Sequence, residues 1–193
     1  MTASRDLVDG QRGPRAEPAD EAAARAIALR QLTDGPRSRA QLAAAMARRN
    51  VPDDVATAVL DRFTDVGLVD DAEFARTLVR SHHADRGLAR RALREELLRK
   101  GIASDVAGEA LAGLDADREH ETAVQLVSRK LAATAGLDTQ TRIRRTMATL
   151  GRKGYAPGVV MDLVREQLAR EGDPSLIEGG IDDDPVGEEG EGG

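Results

Sequence analysis

The chain has 193 residues, 40% hydrophobic but only 2% aromatic, with no cysteine, no tryptophan and a formal net charge of −6. Disulfides, thiolate chemistry and cysteine-bound metal are excluded, and a single thick core would recruit more large rings than Phe63, Phe74 and Tyr155. No apolar run approaches the ~18 residues of a membrane span, and the first residues lack a signal peptide's apolar segment, so a cytoplasmic protein is expected.

The net charge hides an uneven distribution. Residues 172–193 hold eight acids and no base, and residues 1–20 hold three arginines against four acids, which leaves the body, 21–171, at +3. An arm at 1–20 and an acidic, Gly-rich tail at 172–193 are both expected to be disordered, since neither can bury enough apolar surface to offset chain entropy. The tail's acids are also expected to compete with any polyanion for basic parts of the body.

Between them the pattern is helical. Apolar residues recur three and four apart, as in Leu93, Leu97, Leu98 and Ile102. No period-two strand pattern occurs. Helices are expected at 21–33, 38–50, 53–66, 70–85, 87–100, 104–113, 115–134, 139–153 and 157–171. Ser38 to Gln41 fits a capping box. Asp70 fits an N-cap accepting from the amide of Glu73, with Val69 and Phe74 at the hydrophobic-staple positions.

An internal repeat organises these helices. Val51, Ile102 and Tyr155 each follow a basic residue and a turn-former: Arg49-Asn50, Lys100-Gly101 and Lys153-Gly154. Gly and Asn suit the left-handed residue that ends a helix. Five residues earlier stand Met46, Leu97 and Leu150; nine later stand Leu60, Leu111 and Val164. Four later stand Val55, Val106 and Val159. Nine earlier stand Leu42 and Leu93, but Thr146 in the third copy, which suggests drift or a slip of one residue there. The expected architecture is all-α: three tandem three-helix repeats at 21–67, 68–114 and 115–171, stacked into an elongated, curved array whose units share cores with their neighbours.

Catalytic patterns are missing. His82 and His83 are adjacent, so on a helix they point about 100° apart and cannot share a metal from one face; with His120 they read as solvated surface residues. No HExxH, phosphate loop or dinucleotide fingerprint is present. Asp70 and Asp71 are explained by capping. A binding protein is expected, not an enzyme, with no catalytic residue, metal or cofactor.

Basic residues gather on the second helix of the later repeats. Arg90, Arg91, Arg94, Arg99 and Lys100 lie in one cluster, and Arg142, Arg144, Arg145, Arg152 and Lys153 in the other. Favourable charge at a helix C-terminus accounts for Arg99, Lys100, Arg152 and Lys153. It does not account for the arginine pairs in the first half of each helix. Stacked repeats would align these ten residues along one side as a surface for a polyanion or an acidic partner. The first repeat alone resembles a winged helix, but its recognition helix would carry Asp53, Asp54, Asp61 and Asp65 against Arg62, which is unfit for a groove lined by phosphates.

The stretch Gly67-Leu68-Val69-Asp70-Asp71-Ala72-Glu73-Phe74-Ala75 resembles the GL[IV]DD..[YF]A segment of the RecX family, regulators of the bacterial recombinase RecA. Leu93 to Ile102 resembles the same family's L...L..KGI segment, and Tyr155 after Lys153-Gly154 matches its third-repeat turn. Asn50 in place of the first Gly, Thr146 and the acidic tail depart from the pattern. A monomer is expected, and the resemblance implies a protein that binds RecA and its filament on single-stranded DNA. It implies limits on filament growth, ATP hydrolysis, strand exchange and LexA co-cleavage, with weak direct DNA binding possible. The alternative is a general nucleic-acid-binding helical protein acting without RecA.

Overall fold

The computed structural model describes residues 18–172, which form nine α-helices and no strand. In order these are α1 (Pro18–Thr33), α2 (Arg39–Ala47), α3 (Asp53–Asp65), α4 (Asp71–Arg86), α5 (Arg90–Arg99), α6 (Ser104–Ala112), α7 (Ala116–Ala132), α8 (Thr139–Arg152) and α9 (Pro157–Arg170). The arm expected at 1–20 and the tail expected at 172–193 lie, but for a few residues, outside the described ones. Helix α5 starts three residues later than the periodicity predicts. Gly87, at φ 60°, turns the chain left-handed after α4, and the main chain stays non-helical until Arg90.

Contacts divide the chain into two compact units. One takes the chain through Ser81 together with Arg94–Gly113; the other takes His82–Leu93 together with the chain from Leu114 onward. The middle helices α4 and α5 thus give residues to both. In the first unit, α1, α2 and α3 pack on one another around Ala28, Leu42, Met46, Val55, Leu60 and Phe63. In the second, α7, α8 and α9 pack on one another around Val127, Leu131, Leu150, Tyr155, Val164 and Leu168. Small and aliphatic side chains dominate both cores, as the composition requires.

The repeat columns are real. Leu42, Leu93 and Thr146 are all fully buried, and so are Met46, Leu97 and Leu150. Thr146 therefore has not slipped out of its column. Its hydroxyl donates to the carbonyl of Arg142, 2.8 Å away, so a polar residue enters the core with its donor satisfied. The shift in the third copy falls later. Val159 is 44% exposed, whereas Val160 is buried, as are the equivalent Ala56 and Ala107.

Each second helix ends in the same way. The amides of Val51, Ile102 and Tyr155 reach back to the carbonyls of Met46, Leu97 and Leu150 at 3.3, 3.1 and 3.2 Å. The amides of Asn50, Gly101 and Gly154 bond to Ala47, Leu98 and Gly151. This is a Schellman turn, and it needs a left-handed residue, met here by φ of 57°, 77° and 94°. Helix starts follow the sequence signals too. Ser38 and Gln41 form the reciprocal capping box, and Asp70 accepts from the Glu73 amide at 2.8 Å.

These turns are also docking elements. In the first unit the Lys100 carbonyl accepts a 2.6 Å bond from the Ser38 hydroxyl, which in turn accepts from the Gln41 amide. The Arg39 amide, at the start of α2, donates to Asp71, the first residue of α4. In the second unit the Lys153 carbonyl accepts from the Ala89 amide at 2.8 Å, and the Arg90 amide donates to Glu119 of α7. Both junctions bring main chain against an alanine. A Cβ on Gly101 would lie 2.3 Å from the Ala40 Cβ, and one on Gly154 would lie 2.6 Å from the Ala92 nitrogen.

This packing sorts the left-handed glycines by cost. Gly67, at φ 72° after α3, has nothing within 4 Å of where a Cβ would stand, so Gly67→Ala should cost only the backbone strain, about 1 kcal/mol. Gly101→Ala and Gly154→Ala add a steric overlap to that strain and should each cost about 3 kcal/mol by urea unfolding. Tyr155 should govern stability at alkaline pH. It is 5% exposed, and its hydroxyl has no hydrogen-bond partner among the described residues. Burial, and secondarily the Glu119 carboxylate, push its pKa up to about 12. The folded state therefore keeps the phenol protonated where the unfolded chain ionises. Its contribution is complete below pH 10 and is lost between pH 10 and 12, by roughly 2–3 kcal/mol. Tyr155→Phe should abolish that alkaline loss while leaving stability at pH 7 equal or slightly higher, as read by denaturant titrations across the pH range.

Candidate functional site

The ten basic residues singled out by the sequence meet different fates. On α5, the Arg90 guanidinium donates to the Leu114 carbonyl at 2.6 Å and lies 3.7 Å from Glu119. Arg91 reaches the carbonyls of Gly154 and Gly151 at 3.3 and 3.2 Å, at the C-terminus of α8. Those oxygens carry the negative end of the helix dipole, so Arg91 acts as a clamp on the docked turn. Arg94 donates to the Ser104 hydroxyl. Arg99 is exposed, and Lys100 is half-buried with its carbonyl held by Ser38.

On α8 the sequence expectation needs one correction. Arg142 is not a surface contact: it is 6% exposed, and its guanidinium donates to Glu171 at 2.6 Å and to the Leu131 carbonyl. The signal was available, because Arg142, Thr146 and Leu150 are spaced by four and form the inward column. Burying a guanidinium demands such partners, and the carboxylate of Glu171 supplies the charge.

Arg144, Arg145 and Arg152 point outward from α8, and together with Ala148 they form a solvent face on a helix that carries no acid. Its N-terminus is capped by Asp138, which accepts from the Thr141 amide at 2.8 Å. Hydrogen bonds from the Thr141 backbone and side chain hold the Asp138 carboxyl below its ordinary range, with a smaller contribution from the nearby Arg144 charge. At the other end, Lys153 is half-buried, and its Nζ donates to the carbonyl of Arg86, the last residue of α4. Burial pushes the Lys153 ammonium down, and the charges of Arg86 and Arg129 push it further. Arg86 and Arg129 were not among the ten. Nothing in the sequence brings them to Lys153, since only the fold closes those separations.

Sequence reasoning also misread His83. It is buried, not solvated: Nδ1 is 2.9 Å from the Leu88 carbonyl and Nε2 is 3.2 Å from the Thr122 hydroxyl. A carbonyl can only accept, so Nδ1 carries the proton. The left-handed Gly87 folds Leu88 back over the end of α4, which an isolated helix pattern does not reveal. His82 faces Arg86 and His120 is exposed. Among the described residues no group of three or more His, Asp or Glu is arranged to hold a metal ion, and no helix is long and apolar enough to cross a membrane.

Of the ten positions, Arg99, Arg144, Arg145 and Arg152 are thus exposed and, among the described residues, free of the structural hydrogen bonds that hold the side chains of Arg90, Arg91, Arg94, Arg142 and Lys153, while Lys100 is half-buried and bonded through its carbonyl. Three of these four belong to α8. What the arrangement offers is a set of guanidinium groups on a rigid, capped helix, a chemistry suited to carboxylates or phosphates.

Comparison with known proteins identifies the fold and the family. Residues 24–63 match the first three-helix domain of RecX, and residues 70–111 match its second three-helix domain. The regulatory protein RecX of Thermobifida fusca is 54% identical over 165 residues, spanning 85% of this chain and 89% of that protein. The regulatory protein RecX of Streptomyces coelicolor is 48% identical over 160 residues, spanning 83% and 84%. Among solved structures, RecX from Lactobacillus salivarius superimposes with a TM-score of 0.69 over 78% of this chain and 98% of that one, at 18% identity, a likeness of fold. With helical repeats, repeat-ending turns and close relatives in agreement, the chain belongs to the RecX family of regulatory proteins.

Proposed function

We propose that this protein restrains the RecA recombinase, binding RecA and its filament on single-stranded DNA and limiting filament growth. ATP hydrolysis, strand exchange and LexA co-cleavage then fall together. Membership of a family of regulatory proteins supports this reading. The observation that carries it on the molecule is the acid-free outer face of α8, with Arg144, Arg145 and Arg152 exposed. A filament offers protein lobes beside a phosphate backbone, and guanidinium groups serve both. Arg99 is a further contact. Arg90, Arg91, Arg94 and Lys153 contribute positive potential while their side chains hold internal bonds, half-buried Lys100 contributes it with its carbonyl alone engaged, and Arg142 contributes none. The protein acts in the cytoplasm as a monomer.

The test is a titration of RecA's single-strand-dependent ATPase. Sub-stoichiometric protein should slow hydrolysis, while affinity for naked single-stranded DNA at physiological salt stays weak. The triple variant Arg144→Glu, Arg145→Glu, Arg152→Glu should lose at least tenfold in inhibitory potency with an unchanged helical circular dichroism spectrum. These positions are preferred to Arg90 and Arg91, whose reversal would also break bonds to Leu114, Gly151 and Gly154. Full inhibition by the triple variant would remove α8 from the mechanism. Tight binding to DNA without RecA, weakening with salt at a log–log slope of about −0.7 per phosphate, would instead favour a general nucleic-acid-binding protein.

A further inference from the structure

The two internal junctions share a pattern that the ends of the repeat series break. At each junction the second helix of one repeat receives the turn that follows the second helix of the next. Two main-chain or capping donors are given away: Ser38 and Arg39 in one case, Ala89 and Arg90 in the other. The receiving helix offers a bare alanine, Ala40 eleven residues before its own turn position Val51, or Ala92 ten residues before Ile102. The incoming turn offers a glycine.

Helix α8 has neither feature. Eleven and ten residues before Tyr155 stand Arg144 and Arg145, both exposed. The amide equivalent to that of Ala89 belongs to Arg142, and it is already bonded to the Asp138 carbonyl at 3.0 Å, because α8 begins a turn earlier than α2 and α5 do in their repeats. At the other end of the series, the turn of the first repeat carries Asn50 in place of glycine. Asn50 is exposed and left-handed, and it bears the Cβ that Gly101 and Gly154 have no room for.

We infer that the first and third repeats are terminal caps, closing the stacking interface at both ends against a further repeat or a second copy of this chain. The middle repeat alone is two-sided: its Gly101 turn docks on α2, and its Ala89–Ala92 segment receives the turn after α8. Repeat arrays need such ends, since an open docking face propagates. Here closure is achieved by side chains and by one extra helical turn. The arginines that close the face are the same ones left exposed on it.

Two extended chains test this. In one, a second copy of residues 64–114 is inserted after Leu114; in the other, a second copy of 115–171 is inserted after Glu171. The first should unfold in urea as one cooperative transition with a midpoint no lower than that of the natural chain. The second should show the natural transition unchanged plus a separate one for the added copy, and hydrogen exchange in the original third repeat should not slow. A single cooperative transition in the second chain, or an uncoupled transition in the first, would overturn the inference. So would reversible dimerisation of the natural chain in sedimentation velocity. Asn50→Gly alone should leave it a single copy, because the other end stays closed.

Discussion

The structure depends on a helix end that can be approached by another main chain. A Schellman turn satisfies the last carbonyls of its own helix and leaves one oxygen, that of Lys100 or Lys153, to accept from the start of a neighbouring helix. Each such bond is worth only about 1 kcal/mol net, yet an unmade one at a buried site would cost more. Glycine makes the approach possible, and alanine opposite it keeps the gap closed. The need for small residues on both sides explains how a chain so poor in aromatic rings holds together: its stability comes from many close, thin contacts.

Positive charge is divided between holding and presenting. Arg91, Lys153 and Arg90 spend their donors on carbonyls at or near helix ends, where the dipole rewards a cation by about 0.3–1 kcal/mol. Arg142 is spent in the interior on Glu171. Of the ten candidate positions, three of the four that remain outward, Arg144, Arg145 and Arg152, lie on α8, so repeats that share one plan do not share this charge pattern. The outer side of α2 makes the contrast plain, for its outward residues are Ala44 and Ala47, while Ala40 faces the Gly101 turn.

Much of this was legible in the sequence. The columns at Leu42 and Met46 and their counterparts, the left-handed turns and the caps at Ser38 and Asp70 each have a local chemical signature and appear where it predicts, whereas the Val55 column moves by one residue in the third copy. What escaped was decided by distant residues. That Arg90 and Arg91 face Leu114 and Gly154 depends on chain separations of 24 and 63 residues, so a charge count read them as surface. The burial of His83 depends on Leu88 returning across Gly87. Arg142 is the instructive exception, since its spacing from Thr146 and Leu150 announced an inward position that its charge obscured. Val159 and Val160 show why packing still has the last word: two adjacent valines fit a helical pattern equally well, and only the neighbouring helices choose between them.

The isolation of Tyr155 has a practical side. It is the one tyrosine in a chain without tryptophan, and it is enclosed in the core of the third repeat. Intrinsic fluorescence of this protein, excited at wavelengths where its two phenylalanines do not absorb, therefore originates from one phenol at one address. Any change in its emission reports on that core alone, giving a label-free optical view of the part of the molecule that carries the outward arginines.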